Sequence, residues 1–236
     1  FGGYKNNEGK LIKTKMLFRS GSTDKISLAD LEELKKLGLK TIIDLRPEKE
    51  QKPNGNIKRI QKITLPFDLD GITRTRTKPF FHKKNYEKEM LMAFLSVYKE
   101  MPELLIKPVN DFYKILENSD SYPLLINCRA GKDRTGFAVA LIQLTLGMSK
   151  EDILNDYMIS NEFFLASAEK TLRFIKIFTL GIFPVNNLRV IYTAHEICMN
   201  AVLDVIENQY GGIKGYLNHC GINPDQIEKI RNTLLV

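Results

Sequence analysis

Ile126-Asn127-Cys128-Arg129-Ala130-Gly131-Lys132-Asp133-Arg134-Thr135-Gly136 is the stretch on which the reading of this chain turns. Before it, residues 123–126 form a compact apolar run that reads as a buried strand; after it, residues 137–146 are apolar nearly all round and read as a central helix, ended by Gly147. Five residues separate Cys128 from Arg134. A loop of that size entering a helix N-terminus can curl so that successive backbone N–H groups point at one centre, where the helix dipole also favours negative charge. The spacing therefore predicts a phosphate cradle formed by Arg129, Ala130, Gly131, Lys132, Thr135 and Gly136. Cys128 stands at its base, where the N–H groups, the helix terminus and the Arg134 guanidinium all favour thiolate over thiol and make it a nucleophile. Arg134, planar and always charged, can grip two phosphate oxygens at once. Gly131 removes a Cβ where the loop must bend or approach its ligand closely.

Working outward, strands and helices alternate in the first half. The spacing predicts a helix over 28–37, carrying Leu28, Leu31, Leu34 and Leu37 and stopped by Gly38, then strands over 40–45 and 60–65. A basic stretch covers 73–84 and reads as a charged surface loop; a helix follows over 87–99, and Pro102 suits the first turn of another running to 117. Beyond Gly147 the periodicity is helical over 151–158, 161–178, 193–207 and 225–235. This order predicts an α/β fold, a central mostly parallel sheet flanked by helices, with an added C-terminal helical layer.

The chain has 236 residues, 43% hydrophobic and 27% charged, and shows neither internal repeat nor linker, so a single domain over 1–236 is expected. Its net charge of +7 favours anionic partners, phosphate esters and acidic lipid surfaces among them, while no recognition motif supports nucleic acid. The apolar run at 137–146 is broken by Gln143 and falls far short of the roughly 18 residues a membrane span requires. No transmembrane segment is expected. Cys128, Cys198 and Cys220 make no even disulfide framework, and the latter two read as buried thiols. His82, His195 and His219 lie at no ligand spacing, so neither metal nor cofactor is expected. The chain opens at Phe1 without Met, which reads as a mature or trimmed form.

The C-x5-R loop resembles the signature of the cysteine-dependent tyrosine and dual-specificity phosphatases. Phe1-Gly2-Gly3-Tyr4, Leu17-Phe18-Arg19-Ser20-Gly21, Ile43-Asp44-Leu45-Arg46 with Glu50 following, and Tyr216-Leu217 before Gly221-Ile222 are further similar to the bacterial tyrosine/serine branch of that superfamily, so the likeness runs over nearly the whole chain. It implies a metal-free mechanism in two steps through a cysteinyl-phosphate, with phosphorylated proteins or phosphoinositide headgroups as substrates, and it favours a secreted bacterial protein over a cytoplasmic one. Thr135 would hydrogen-bond the Cys128 sulfur. The general acid that tyrosine phosphatases carry on a separate loop is absent, since no Asp lies between Asp70 and Asp111. The resemblance to the bacterial branch, and to some phosphoinositide phosphatases, where an Asp within the loop is the candidate acid, implies Asp133 as the first candidate, with Asp68 or Asp70 the second. Asn127 stands where the superfamily usually has His; its amide can hydrogen-bond the loop backbone but carries no charge. That departure motivates the alternative of a catalytically weak or inactive module that binds phosphorylated ligands. A rhodanese-like sulfurtransferase also begins its loop Cys-Arg-x-Gly, but the ending Lys132-Asp133-Arg134-Thr135-Gly136 fits the phosphatases better.

Other residues carry two readings. Lys132 is either an added cation for a ligand with more than one phosphate or a solvated loop lysine. Arg74, Arg76, Lys78, His82, Lys83 and Lys84, with Phe80 and Phe81, form either a peripheral contact for anionic membrane or a plain charged surface. Asp44 and Arg46 either brace the loop from behind or form a structural pair. Residues 161–178 are either a lid or, more simply, a core helix.

Overall fold

A computed structural model describes residues 1–52 and 60–236. Its elements run β1 (Leu17–Ser20), α1 (Leu28–Lys36), β2 (Thr41–Asp44), β3 (Gln61–Thr64), α2 (Asp70–Thr77), α3 (Glu87–Leu104), α4 (Ile106–Glu117), β4 (Leu124–Asn127), α5 (Asp133–Leu146), α6 (Lys150–Met158), α7 (Ser160–Phe178), α8 (Val185–Tyr192), α9 (Glu196–Tyr210), α10 (Ile213–His219) and α11 (Pro224–Leu234). The strands form one four-stranded sheet in the order β1-β4-β2-β3. All three pairings are parallel. The expected α/β fold with a parallel sheet is thus observed.

Pleating sends alternate side chains to opposite faces, and registered neighbours share a face. Phe18, Leu125 and Ile42 are in register, and they pack with Leu31 of α1 and with Leu39 and Ile60. Of the four leucines expected to face the core from α1, Leu31 is buried and Leu34 partly so, while Leu28 is exposed. α5 packs on β1 and β4, and α10 and α11 pack on α5. Twelve residues of α5 are buried, so the helix is enclosed nearly all round, as its central position in the sequence reading predicts. Phe67 meets Phe112 and Phe137 edge-on at 6.1 and 6.2 Å, a geometry favoured by the charge distribution of the rings. The Tyr113 hydroxyl, in this apolar setting, bonds Thr145 Oγ1 at 2.6 Å and donates to the Leu141 carbonyl at 3.1 Å. Burial pushes that phenol up from its ordinary value.

The residues cluster into two compact units. One comprises Phe1–Asp68, Leu105–Ile153 and Ile206–Val236, and contains the sheet; the other comprises Leu69–Leu104 and Leu154–Val205. In the second, α3 packs on α2 and α8, and α7 packs on α8. Arg76 grips both carboxylate oxygens of Glu100 at 2.7 Å, and the Tyr98 and Tyr157 hydroxyls bond each other at 2.9 Å. The C-terminal helices are divided between the two units.

Several boundaries differ from expectation. Pro102 lies inside α3, and the chain breaks instead at Leu105, with Pro108 in the first turn of α4. The basic stretch is not a loop: α2 and a single 3-10 turn at Lys78–Phe80 take up most of it. α5 begins at Asp133, so Arg134, Thr135 and Gly136 are helical. α7 is not a core helix, since Ala168 and Leu172 are its buried residues.

Candidate active site

The loop joins the C-terminal end of β4 to α5, with β1 and β2 on either side of β4. In a parallel sheet this is the end where ligands bind, because strand termini and helix N-termini converge there. Both neighbouring strands reach the loop. From β1, Ser22 N donates to the Arg129 carbonyl at 3.1 Å, and Arg19 Nη2 donates to the Gly131 carbonyl at 2.8 Å. From β2, Leu45 N donates to the Asn127 carbonyl at 2.8 Å. Within the loop, the Lys132 carbonyl accepts from Gly136 N at 2.7 Å. A trans peptide holds its N–H antiparallel to its C=O. Carbonyls drawn toward β1 and along α5 therefore turn the N–H groups of Ala130, Lys132 and Asp133 to the opposite side, which is the orientation an anion cradle needs.

Gly131 makes this approach sterically feasible. Its φ is +69°, and a Cβ there would lie 2.6 Å from the Ser20 carbonyl carbon and oxygen. No L side chain fits that position without displacing the β1 terminus.

Arg134 is nine-tenths buried, and its Nη1 and Nη2 donate to Glu50 Oε1 and Oε2 at 2.8 and 2.9 Å. This fork-to-fork pair fixes the plane of the guanidinium. Arg46, 1% exposed, ties the supports together. It donates to Asp44 through Nε (2.9 Å) and Nη2 (2.7 Å), to Asp24 through Nη1 and Nη2 (2.8 Å each), to Ser22 Oγ at 3.0 Å and to the Glu50 carbonyl at 3.2 Å. A continuous path thus leads from the back of the loop, through Ser22 and Arg46, to Glu50 and the Arg134 head. Asp44 and Arg46 are linked to the loop through Ser22 and to the Arg134 head through Glu50.

The electrostatics follow from this packing. Burial alone would raise Asp44, but hydrogen bonds from Arg46 and Lys62 outweigh it and hold its carboxyl below the usual range. Arg46 also holds the Asp24 carboxyl below its usual range, and the two carboxylates in turn raise Arg46. With its oxygens so engaged, Asp44 suits a brace and not an acid.

Asp133 opens α5 with its carboxylate 3.3 Å from Lys132 Nζ, and Lys132 is 1% exposed, so the solvated-lysine reading fails. Asp68 is half-exposed and lies 3.5 Å from Lys49 Nζ. Cys128 is buried, as are Cys198 and Cys220. Among the described residues Thr135 Oγ1 is buried without a hydrogen-bond partner, so the expected bond to the Cys128 sulfur is not formed. Asn127 is wholly buried, and neither its Nδ2 nor its Oδ1 has a partner among the described residues, against the expectation that its amide bonds the loop backbone.

Sequence reasoning missed Asp24, Ser22 and the role of Glu50. Glu50 followed the Asp44-Leu45-Arg46 run and was in view, but an 84-position separation from Arg134 gave no sign of the pairing.

The sequence profile of the tyrosine phosphatase family matches residues 1–236. The chain belongs to that family. Its place in the cysteine-dependent tyrosine phosphatase superfamily, expected from the loop, is thereby shown. A Cupriavidus necator protein provisionally named a tyrosine-protein phosphatase is 31% identical over 163 residues, covering 68% of this chain and 59% of that one. The triple specificity protein phosphatase PtpB of Mycobacterium tuberculosis is 32% identical over 130 residues, covering 48% of this chain and 44% of its own length. An inositol diphosphatase of Arabidopsis thaliana is 27% identical over 152 residues, covering 60% of this chain and 58% of that protein. The chain thus spans about half the length of these phosphatase relatives. No described helix is long and apolar enough to cross a membrane.

Proposed function

We propose that the protein is a cysteine-dependent phosphatase that hydrolyses phosphate monoesters through a cysteinyl-phosphate. The observation that carries this reading is the loop itself: its carbonyls are turned outward by β1, and Arg134 is set in plane by Glu50 at its rim.

Phosphate seats on the loop N–H groups, with its equatorial oxygens held by Arg134. The Cys128 thiolate attacks phosphorus in line; the S–P bond forms as the P–O bond to the leaving group breaks. Asp133, at the rim, gives its proton to the departing oxygen. Water then attacks the phosphoryl group, losing a proton to Asp133, the S–P bond breaks, and inorganic phosphate leaves with the thiolate restored. Lys132, buried beside Asp133, supplies a second cation, which favours substrates with more than one phosphate. Phosphotyrosine proteins and phosphoinositides both fit this chemistry; relatives named tyrosine-protein phosphatase support the first, and one named inositol diphosphatase supports a phosphorylated inositol ring in the site. Peripheral contact with anionic membrane belongs to the same reading, supported by the exposed Lys78, His82, Lys83 and Lys84.

The test is phosphate release in the presence of chelator from a phosphotyrosine peptide and a soluble phosphatidylinositol monophosphate, with Cys128→Ser alongside. Release that falls by on the order of 10³ or more in the variant is expected. Undiminished release by Cys128→Ser would overturn the mechanism. Asp133→Asn should flatten the basic limb of the pH–rate profile; if Asp68→Asn does so instead, the acid is Asp68.

A further inference from the structure

The second unit carries a surface that the loop chemistry does not use. At the end of α7 and in the turn after it, Phe174, Ile177, Phe178, Leu180 and Ile182 are between 68 and 87% exposed. Single exposed apolar residues are ordinary, but a contiguous group marks an interaction site. These are contiguous: Phe174 and Phe178 stack across one helical turn with centroids 6.0 Å apart, and Phe178, Leu180 and Ile182 line one shallow groove with His82, Phe183 and Pro184. Leu180 has a φ of +51°, a left-handed position after a helix where glycine is usual. The chain thus accepts a strained backbone at a residue whose side chain is the most exposed of the group.

The surroundings are basic. Lys170, Arg173 and Lys176 are exposed on α7 itself. The stretch around Lys83 and Lys84 is pinned next to the same turn, because the His82 ring packs edge-on against Phe183 at 5.3 Å and Asn187 Nδ2 donates to the Phe80 and Lys83 carbonyls at 2.5 and 2.7 Å. Glu169, the nearby acidic residue of α7, is engaged by Arg189 at 2.6 Å. Apolar side chains projecting from a helix end with lysines and arginines beside them form the pattern of a surface that settles into a bilayer interface, chains among the acyl groups and cations among the phosphates. A second copy of the same face would bring like charges together and is disfavoured.

We propose that the turn between α7 and α8 docks on anionic membrane, with Phe178, Leu180 and Ile182 inserted and Lys170, Arg173, Lys176, Lys83 and Lys84 on the headgroups. This rests on the membrane contact proposed above and names the surface that makes it, but it is independent of the phosphatase chemistry, since binding can be read on Cys128→Ser.

The experiment is sedimentation with vesicles of phosphatidylcholine alone and of phosphatidylcholine with phosphatidylserine. Binding to the anionic vesicles only is expected, lost by at least about tenfold in Phe178→Ser/Ile182→Ser, and weakened in Leu180→Gly, which suits the backbone and so keeps the fold. The chain has no tryptophan, so Phe178→Trp reports by itself: its emission should shift to the blue and be quenched by brominated acyl chains. The proposal is overturned if the apolar variants bind as well as the parent, if neutral vesicles bind equally, or if the face instead drives dimerisation that Phe178→Ser/Ile182→Ser dissolves.

Discussion

Gly131 carries the most demanding packing in the loop, because its missing side chain is what lets the loop lie on the backbone of Ser20 and Gly21. Gly131→Ala is expected to cost at least about 1–2 kcal/mol from the left-handed φ alone, before any displacement of β1, and to remove most turnover. Parallel thermal unfolding and phosphate-release assays would check both. Glu50→Gln keeps the shape but loses the charged fork on Arg134, so turnover should fall by roughly 10–10² with a rise in KM, because the guanidinium is no longer held in plane. Asn127 presents the opposite case, a buried amide without partners among the described residues. Replacing an unsatisfied polar group by an apolar one of similar shape is neutral or favourable, so Asn127→Leu should leave stability unchanged or raise it by about 1 kcal/mol; a loss in a denaturation midpoint would show that the amide is satisfied in solution. At this scale the loop that places Cys128 and Arg134 was legible, since a strand, a C-x5-R spacing and an apolar helix are all local signals. Glu50 and Asp24 were not. They meet Arg134 and Arg46 only after the sheet has assembled, 84 and 22 positions away along the chain.

The ends of β1 and β2 and the 3-10 turn at Glu48–Glu50 are joined by one buried arginine. Removing Arg46 takes the guanidinium from Asp24 and leaves Asp44 with the Lys62 ammonium at 3.1 Å, so Arg46→Ala should destabilise by about 3–5 kcal/mol, and Arg46→Lys should recover little of it, because an ammonium cannot reproduce the planar fork. The same network predicts an acid response. Asp24 and Asp44 are both depressed below their ordinary value of 3.8, so the stability they contribute is whole above that pH. As pH falls below it, the unfolded chain takes up protons that the folded chain refuses, and that contribution drains away. Asp24→Asn should therefore be less stable than the parent at neutral pH and lose less on acidification. Urea midpoints that fall in parallel for the two proteins would refute the assignment. Among elements, β2, β3, β4 and the long helices were legible from apolar runs and stops such as Gly147 at φ +81°, whereas β1, only four residues long, was not read as a strand. α8 and α10 escaped because their periodicity is too short to register, and Pro102 misled because a proline that starts helices can also sit within one when neighbouring contacts support it.

At the level of the whole chain, a net charge of +7 suits an anionic substrate and an anionic surface alike, and composition could not separate the two readings. The two proposed sites fall in different units: the loop and its supports belong to the unit that holds the sheet, and the exposed apolar turn with its lysines belongs to the other. Helical periodicity over 161–178 was correctly read, but which way that helix faces depends on what packs against it, and an apolar helix left exposed has the same sequence pattern as one in a core. The family likeness runs over both units, residues 1–236. In the proposed mechanism Cys128 becomes covalently phosphorylated during turnover. Acid quenching of the enzyme in mid-turnover, followed by intact-mass and peptide mass analysis, tests this most directly. A single added phosphoryl group is expected, mapped to the peptide containing Cys128 and absent from Cys128→Ser. Steady release of phosphate with no adduct on Cys128, in a burst long enough to trap one, would contradict the mechanism.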